Sequence, residues 1–198
     1  MSHLSLTERA TPGYRPNEPG TKPKETMWRE DYLDAEREAV VLAPGHDGLP
    51  DLQLTRQNDW WVLTTPGGGF VNPRSRNLFK VEVYVFQVRG TAYRGAASRI
   101  ADTRAGRPVL LRRERDNPVD PNAVQVQAIK ARQHESPLTI GYVNKQNAAR
   151  MAGRIDSGEA FVAIFIRGAK PGTEGVPWVL ACPAALMQKL GRPDAAGS

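Results

Sequence analysis

Few residues in this chain have the type and spacing that chemistry requires. Asp116 and Asp120 stand four apart and could share a divalent cation, which keeps a metal-dependent nuclease as one alternative. No EF-hand spacing accompanies them, and their neighbours Asn117, Pro118, Pro121 and Asn122 are turn formers. The three histidines, His3, His46 and His134, have no nucleophile beside them in sequence. Cys182 is the one cysteine, so neither an internal disulfide nor a multi-thiolate zinc site is available. The PGGGF stretch at residues 66–70 lacks the lysine and Ser/Thr of a phosphate-cradling loop and reads as a turn. The chain is therefore expected to be no enzyme and to use no cofactor or metal.

What remains is positive charge interleaved with tyrosine. The 198 residues carry 27 Lys+Arg against 21 Asp+Glu, a net charge of +6. Residues 81–168 hold 14 of the basic and 8 of the acidic residues, whereas residues 1–80 hold 10 and 11. A basic segment of this kind suits a phosphate-backbone ligand, and base stacking on an aromatic adds about 1–3 kcal/mol without regard to sequence. The composition, 40% hydrophobic and 24% charged, is that of a globular chain. No apolar run is long enough to span a bilayer and the first thirty residues lack the apolar core of a signal peptide, so a cytoplasmic protein away from membranes is expected.

The elements that must carry these residues are short. Thr11–Lys24, with four prolines and two glycines, reads as part of an extended or disordered tail over residues 1–30. Asp31–Leu42 suggests a short helix with Leu33, Ala35, Ala39 and Leu42 on one face, and the run around Trp60 and Trp61 a strand or hairpin. Residues 31–80 are read as an N-terminal extension packing on the main domain, with Trp60 and Trp61 against it. The main domain, 81–168, opens with a strand at Val81 and continues through a short helix anchored by Ile100. Strands follow at PVLLRRE, AVQVQAI and PLTIGYV. Asn144 then caps a helix carrying Ala148, Met151, Ala152 and Ile155, and Gly158 stops it. A strand at EAFVAIFIRGA follows, and residues 169–198 add a last strand and a short helix that complete the domain. The fold class is mainly β with inserted helices (α+β), a small β-barrel with an N-terminal extension.

Three segments occur in order within this domain. GTAYRG (Gly90–Gly95) ends a strand in a glycine followed shortly by an aromatic. ERDNPVDPNAVQV (Glu114–Val126) is an Asn/Asp/Pro turn between two strands. IGYVNKQNAARMA (Ile140–Ala152) is a strand end that opens into an alanine-rich helix. Together they resemble the HIRAN domain, a module of fork-remodelling helicases that also occurs as a standalone bacterial protein. The resemblance covers Val81 to about Arg167 and leaves residues 1–80 unassigned.

The resemblance implies an OB-like barrel that binds single-stranded DNA and, in eukaryotic members, captures a free 3′-hydroxyl end. It places Tyr93 against a terminal base, Asn117 and Asp120 in the turn with Asp120 accepting the 3′-hydroxyl, and Tyr142 and Lys145 beside backbone phosphate. Arg94 and Arg113 complete the set, and Arg112 and Arg115 add charge. Ala92 before a single Tyr93, and Val119 in the turn, replace aromatics of the eukaryotic pattern, which weakens tight 3′-end capture and leaves general single-strand binding standing. A module of this kind would act in DNA repair or replication with a helicase or nuclease supplied in trans. Each role has a plain alternative. Tyr93 and Tyr142 could fill the core, Asn117, Asp120 and Asn122 could only shape their turn, and the arginines could be a solvated strand face. The rival function is a protein-interaction adaptor using Trp60, Trp61 and the proline-rich tail. Lys145 opposes the helix dipole in a first helical turn, a conflict that a bound anion would relieve.

Overall fold

In a computed structural model, residues 32–129, 136–173 and 175–191 are described; the tail expected over 1–30 lies outside them. Asp34 caps α1 (Ala35–Val41), its carboxylate accepting from the Arg37 N–H at 2.8 Å. A hairpin follows, β1 (Gln53–Gln57) and β2 (Trp60–Thr64), paired from Gln53↔Thr64 to Gln57↔Trp60. Next come β3 (Tyr84–Gln87), α2 (Gly95–Ile100), β4 (Pro108–Arg113), β5 (Val124–Ala128) and β6 (Leu138–Tyr142). The chain closes with α3 (Lys145–Asp156), β7 (Phe161–Arg167), β8 (Trp178–Pro183) and α4 (Ala184–Lys189).

Strands β3 to β8 form one antiparallel sheet in the order β3-β8-β7-β4-β5-β6. Its two edges meet where the chain leaving β3 reaches the end of β6. Arg89 and Tyr142 exchange both backbone hydrogen bonds there, at 2.9 and 2.8 Å. Gly141 permits this approach, because a Cβ on it would stand 2.4 Å from the Arg89 carbonyl oxygen and 2.6 Å from Val88 Cγ1. The sheet therefore curls into the small barrel that the short strands suggested.

Period-2 alternation splits the apolar residues into two cores. Tyr84, Phe86, Val88, Val124, Val126, Ile140, Phe165 and Val179 point into the curl, and α3 plugs it with Ala148 and Met151. On the outer side of β3, β8 and β7, Ile164, Ile166, Leu180 and Cys182 meet Leu52, Leu54, Leu63, Val71 and Leu78 from residues 51–80 and Leu186, Met187 and Leu190 from α4. Among the described residues, the outer side of β4, β5 and β6 has no such apolar cover and presents exposed Leu110 and Arg112.

Three local expectations change. The main-domain strand starts at Tyr84 rather than Val81, because Arg76–Val81 is a 3-10 turn ended by Glu82 at φ 62. That turn is held by the Glu82 N–H, bonded to the Leu78 and Phe79 carbonyls. Ile100 does not anchor α2: it is 59% exposed, and the Ser98 hydroxyl ties the helix to the carbonyls of Thr91 and Ile140 instead. On α1 the buried residue is Glu38 rather than Ala35 or Ala39. Its carboxylate accepts from the Ser75 hydroxyl and, at 3.1 Å, from the Asn77 amide, which removes the cost of burying it unpaired. Asn144 caps α3 as expected, its side chain accepting from the Asn147 N–H at 3.0 Å.

Candidate nucleic-acid interface

The three segments converge at the uncovered side. A 3-10 turn (Thr91–Arg94) follows Gly90, whose φ of 74 suits glycine. A Cβ at Gly90 would stand 3.9 Å from Tyr142 Cδ2 and 4.0 Å from Tyr93 Cδ2, so the two tyrosines flank it. Tyr93 is 92% exposed, which removes the core reading for that ring. Arg94 Nη2 donates to the Tyr142 hydroxyl at 3.0 Å, and its guanidinium lies 5.9 Å from the Tyr142 ring centre.

Glu114 joins the turn to this pair. Its carboxylate accepts from Asn117 Nδ2 at 2.6 Å, from Gln125 Nε2 at 3.0 Å and from the Tyr142 hydroxyl. The Asn117 hydrogen bond holds the Glu114 carboxyl below its ordinary range; burial opposes this, and Tyr142, Gln125 and the Arg94 charge add to it. The Tyr142 hydroxyl thus accepts from Arg94 and is oriented to donate toward Glu114. Gln125 continues the network to Gln127 and Thr139 along the same side of β5 and β6.

The turn itself uses the oxygens offered as ligands. Asn117 Oδ1 accepts from the Val119 and Asp120 N–H groups, and Asp120 Oδ1 from the Asn122 N–H at 2.8 Å. The turn-forming alternative therefore holds for both residues. It does not exhaust Asp120, whose Oδ2 has no hydrogen bond among the described residues. Val119 at the tip is 89% exposed.

Arg113 is directed elsewhere. Its side chain is 10% exposed, pairs with Asp156 at 3.2 Å and donates to the carbonyls of Ala123 and Pro121, so it braces the turn from behind. Arg115 also pairs with Asp156, at 2.9 Å. Lys145 is exposed at the first position of α3. Trp61 packs in the outer core, and the Arg167 guanidinium lies 3.8 Å from the Trp60 ring centre. Among the described residues, no group of three or more His, Cys, Asp or Glu is placed to hold a metal ion. None of their helices is long and apolar enough to cross a membrane.

Sequence reasoning gave Glu114 and Gln125 no role. The available signal was strand alternation: Gln125, between buried Val124 and Val126, had to face outward.

A mainly β barrel with one face covered and a Tyr/Arg cluster on the open one defines a small binding module. The family model of the HIRAN domain matches residues 51–173, and the chain belongs to that family. HIRAN domains are DNA-binding modules. The match starts in the β1 segment, upstream of the Val81 boundary read from the motifs. Among solved structures, the crystal structure of the HIRAN domain of human HLTF is similar at 17% identity, covering 55% of this chain and 86% of that one, with a TM-score of 0.39. No curated protein matches the chain.

Proposed function

We propose that this chain is a non-catalytic module that binds single-stranded DNA, with a preference for free 3′ ends. It would act in repair or replication-associated transactions beside a helicase or nuclease supplied in trans. The observation that carries the reading is the chain of contacts Arg94–Tyr142–Glu114–Asn117, which draws all three sequence segments to one exposed cluster beside Tyr93. Tyr93 supplies a stacking ring, Arg94 and Lys145 supply charge for phosphate, and the free oxygen of Asp120 supplies an acceptor for a sugar hydroxyl. Arg113 serves by holding the turn.

Fluorescence anisotropy with a labelled single strand ending in a 3′-hydroxyl or a 3′-phosphate tests this, using wild type and Asp120→Asn. Asparagine keeps the acceptor for the Asn122 N–H and removes the charge. The hydroxyl end is expected to bind about tenfold more tightly in the wild type and to lose that margin in the variant, as fits one charged hydrogen bond of about 1.5 kcal/mol. If neither oligonucleotide binds at ~50 mM salt, where phosphate contacts are strong, the reading fails and the adaptor alternative replaces it.

A further inference from the structure

We infer that Arg89, Tyr142, Gln125 and Arg112 form a transverse track along which a single strand crosses the open side of the barrel, extending the site beyond the end-binding residues. The inference rests on the single-strand reading above and adds two phosphate contacts, Arg89 and Arg112, on either side of the tyrosine.

The placement follows from register. Arg89 lies opposite Tyr142, Tyr142 opposite Gln125, and Gln125 opposite Arg112. Directly opposed residues share a face of a sheet, so the four side chains form one row at right angles to the strands. The flanking residues confirm which face: Val88, Val124, Val126 and Val143 are buried in the inner core, while Arg89 and Arg112 are exposed. The row spans three strand spacings of about 4.8 Å, so about 14 Å separates its two arginines. One stacked strand carries a charge roughly every 3.4 Å, so the row takes more than one nucleotide.

The charges in the row are available. The basic neighbours Arg104, Arg107, Arg113, Arg115 and Arg154 are ion-paired. Neither the Arg89 nor the Arg112 side chain has a hydrogen bond or ion pair among the described residues. Between them lie a tyrosine ring, which offers stacking, and Gln125, held by Glu114. The one carboxylate at the row, Glu114, is turned into hydrogen bonds from Asn117, Gln125 and Tyr142. Two unpaired guanidinium groups around an aromatic match a strand of alternating phosphates and bases, whereas an acidic peptide would leave the tyrosine unused.

The test compares wild type with the double variant Arg89→Gln/Arg112→Gln, using a dinucleotide and a single strand of about eight nucleotides over a range of salt. The longer strand is expected to lose about fivefold in affinity per arginine near 0.1 M salt. Its salt dependence should flatten by about 0.7 per arginine, the value for one phosphate contact on a single strand. The dinucleotide is expected to lose less. Unchanged thermal unfolding shows the variant to be folded; if it is not, Arg112→Gln alone, within the β4–β5 pairing, carries the same comparison. Wild type that binds the longer strand with a slope the variant does not change overturns the track and leaves the single-strand reading standing. Failure of the wild type to bind either oligonucleotide removes both. Poly-glutamate competing as well as the oligonucleotide also overturns the track, because that ligand has no bases.

Discussion

The two outer sides of this barrel are built from the same kind of strand and have opposite fates. On β3, β8 and β7 the outward residues include Val85, Leu180 and Ile164, aligned across the sheet by Val85↔Leu180 and Ile164↔Leu180. They are roofed by residues 51–80 and α4. On β4, β5 and β6 the outward residues are Leu110, Arg112, Gln125, Thr139 and Tyr142, with Gln127 buried beside them, and among the described residues no apolar layer like that of the other side packs over them. A sheet face is committed to packing or to binding by the polarity of its alternate positions, and this chain does both on one curled sheet. The covered side sets stability; the open side can vary its side chains without endangering the fold.

Paired leucine truncations break or uphold that contrast most directly. Leu180→Ala empties a fully buried position between two other aliphatics and is expected to destabilise by about 3 kcal/mol. Leu110→Ala, on the open side at 43% exposure, should change stability by less than about 0.5 kcal/mol. Urea unfolding of both variants measures the difference. Equal effects would mean that the open side is covered as well.

The seam where the two edges meet lies next in size. A Cβ at Gly141 collides with the Arg89 carbonyl and Val88, and backbone atoms cannot rotate away as a flexible side chain can. Gly141→Ala is expected to destabilise by about 2 kcal/mol. It should also weaken oligonucleotide binding, since it displaces Arg89 from Tyr142. Hydrogen exchange at the Arg89 and Tyr142 amides would show the seam opening. Protection there equal to wild type would mean the strands accommodate the methyl group.

What could be read in advance divides along local and non-local lines. The cap at Asn144, the apolar face of α3 and the turn at 114–122 are set by neighbours in sequence, and each was legible. The mainly β class followed from strand alternation. The seam was not legible, because the pairing of Arg89 with Tyr142 joins segments far apart in sequence and leaves no local pattern beyond a glycine in a strand. Glu82 at positive φ was hidden for a related reason: a β-branched run such as VEVYVFQV gives no sign that its first turn is 3-10. The ends of the candidate site were visible as motifs, whereas its centre, Glu114, was not. A carboxylate beside a basic segment reads as a charge penalty until the two amides and the hydroxyl that surround it are placed.

That carboxylate gives the smallest of the expected effects and a pH signature. Glu114 has a folded-state pKa below its ordinary 4.5, with the Asn117 hydrogen bond as the largest cause. A lowered carboxyl stabilises the fold fully above its unfolded pKa and loses that contribution as pH falls through the folded value. Glu114→Gln should therefore lower the melting temperature by a small, constant amount at neutral pH. The difference from wild type should begin to shrink near pH 4.5 and vanish below the folded pKa. Melting curves of the two proteins across acid pH measure this. A difference that persists undiminished to low pH would mean that Glu114 acts through shape alone, and that the Arg94–Tyr142 pair is not held by its charge.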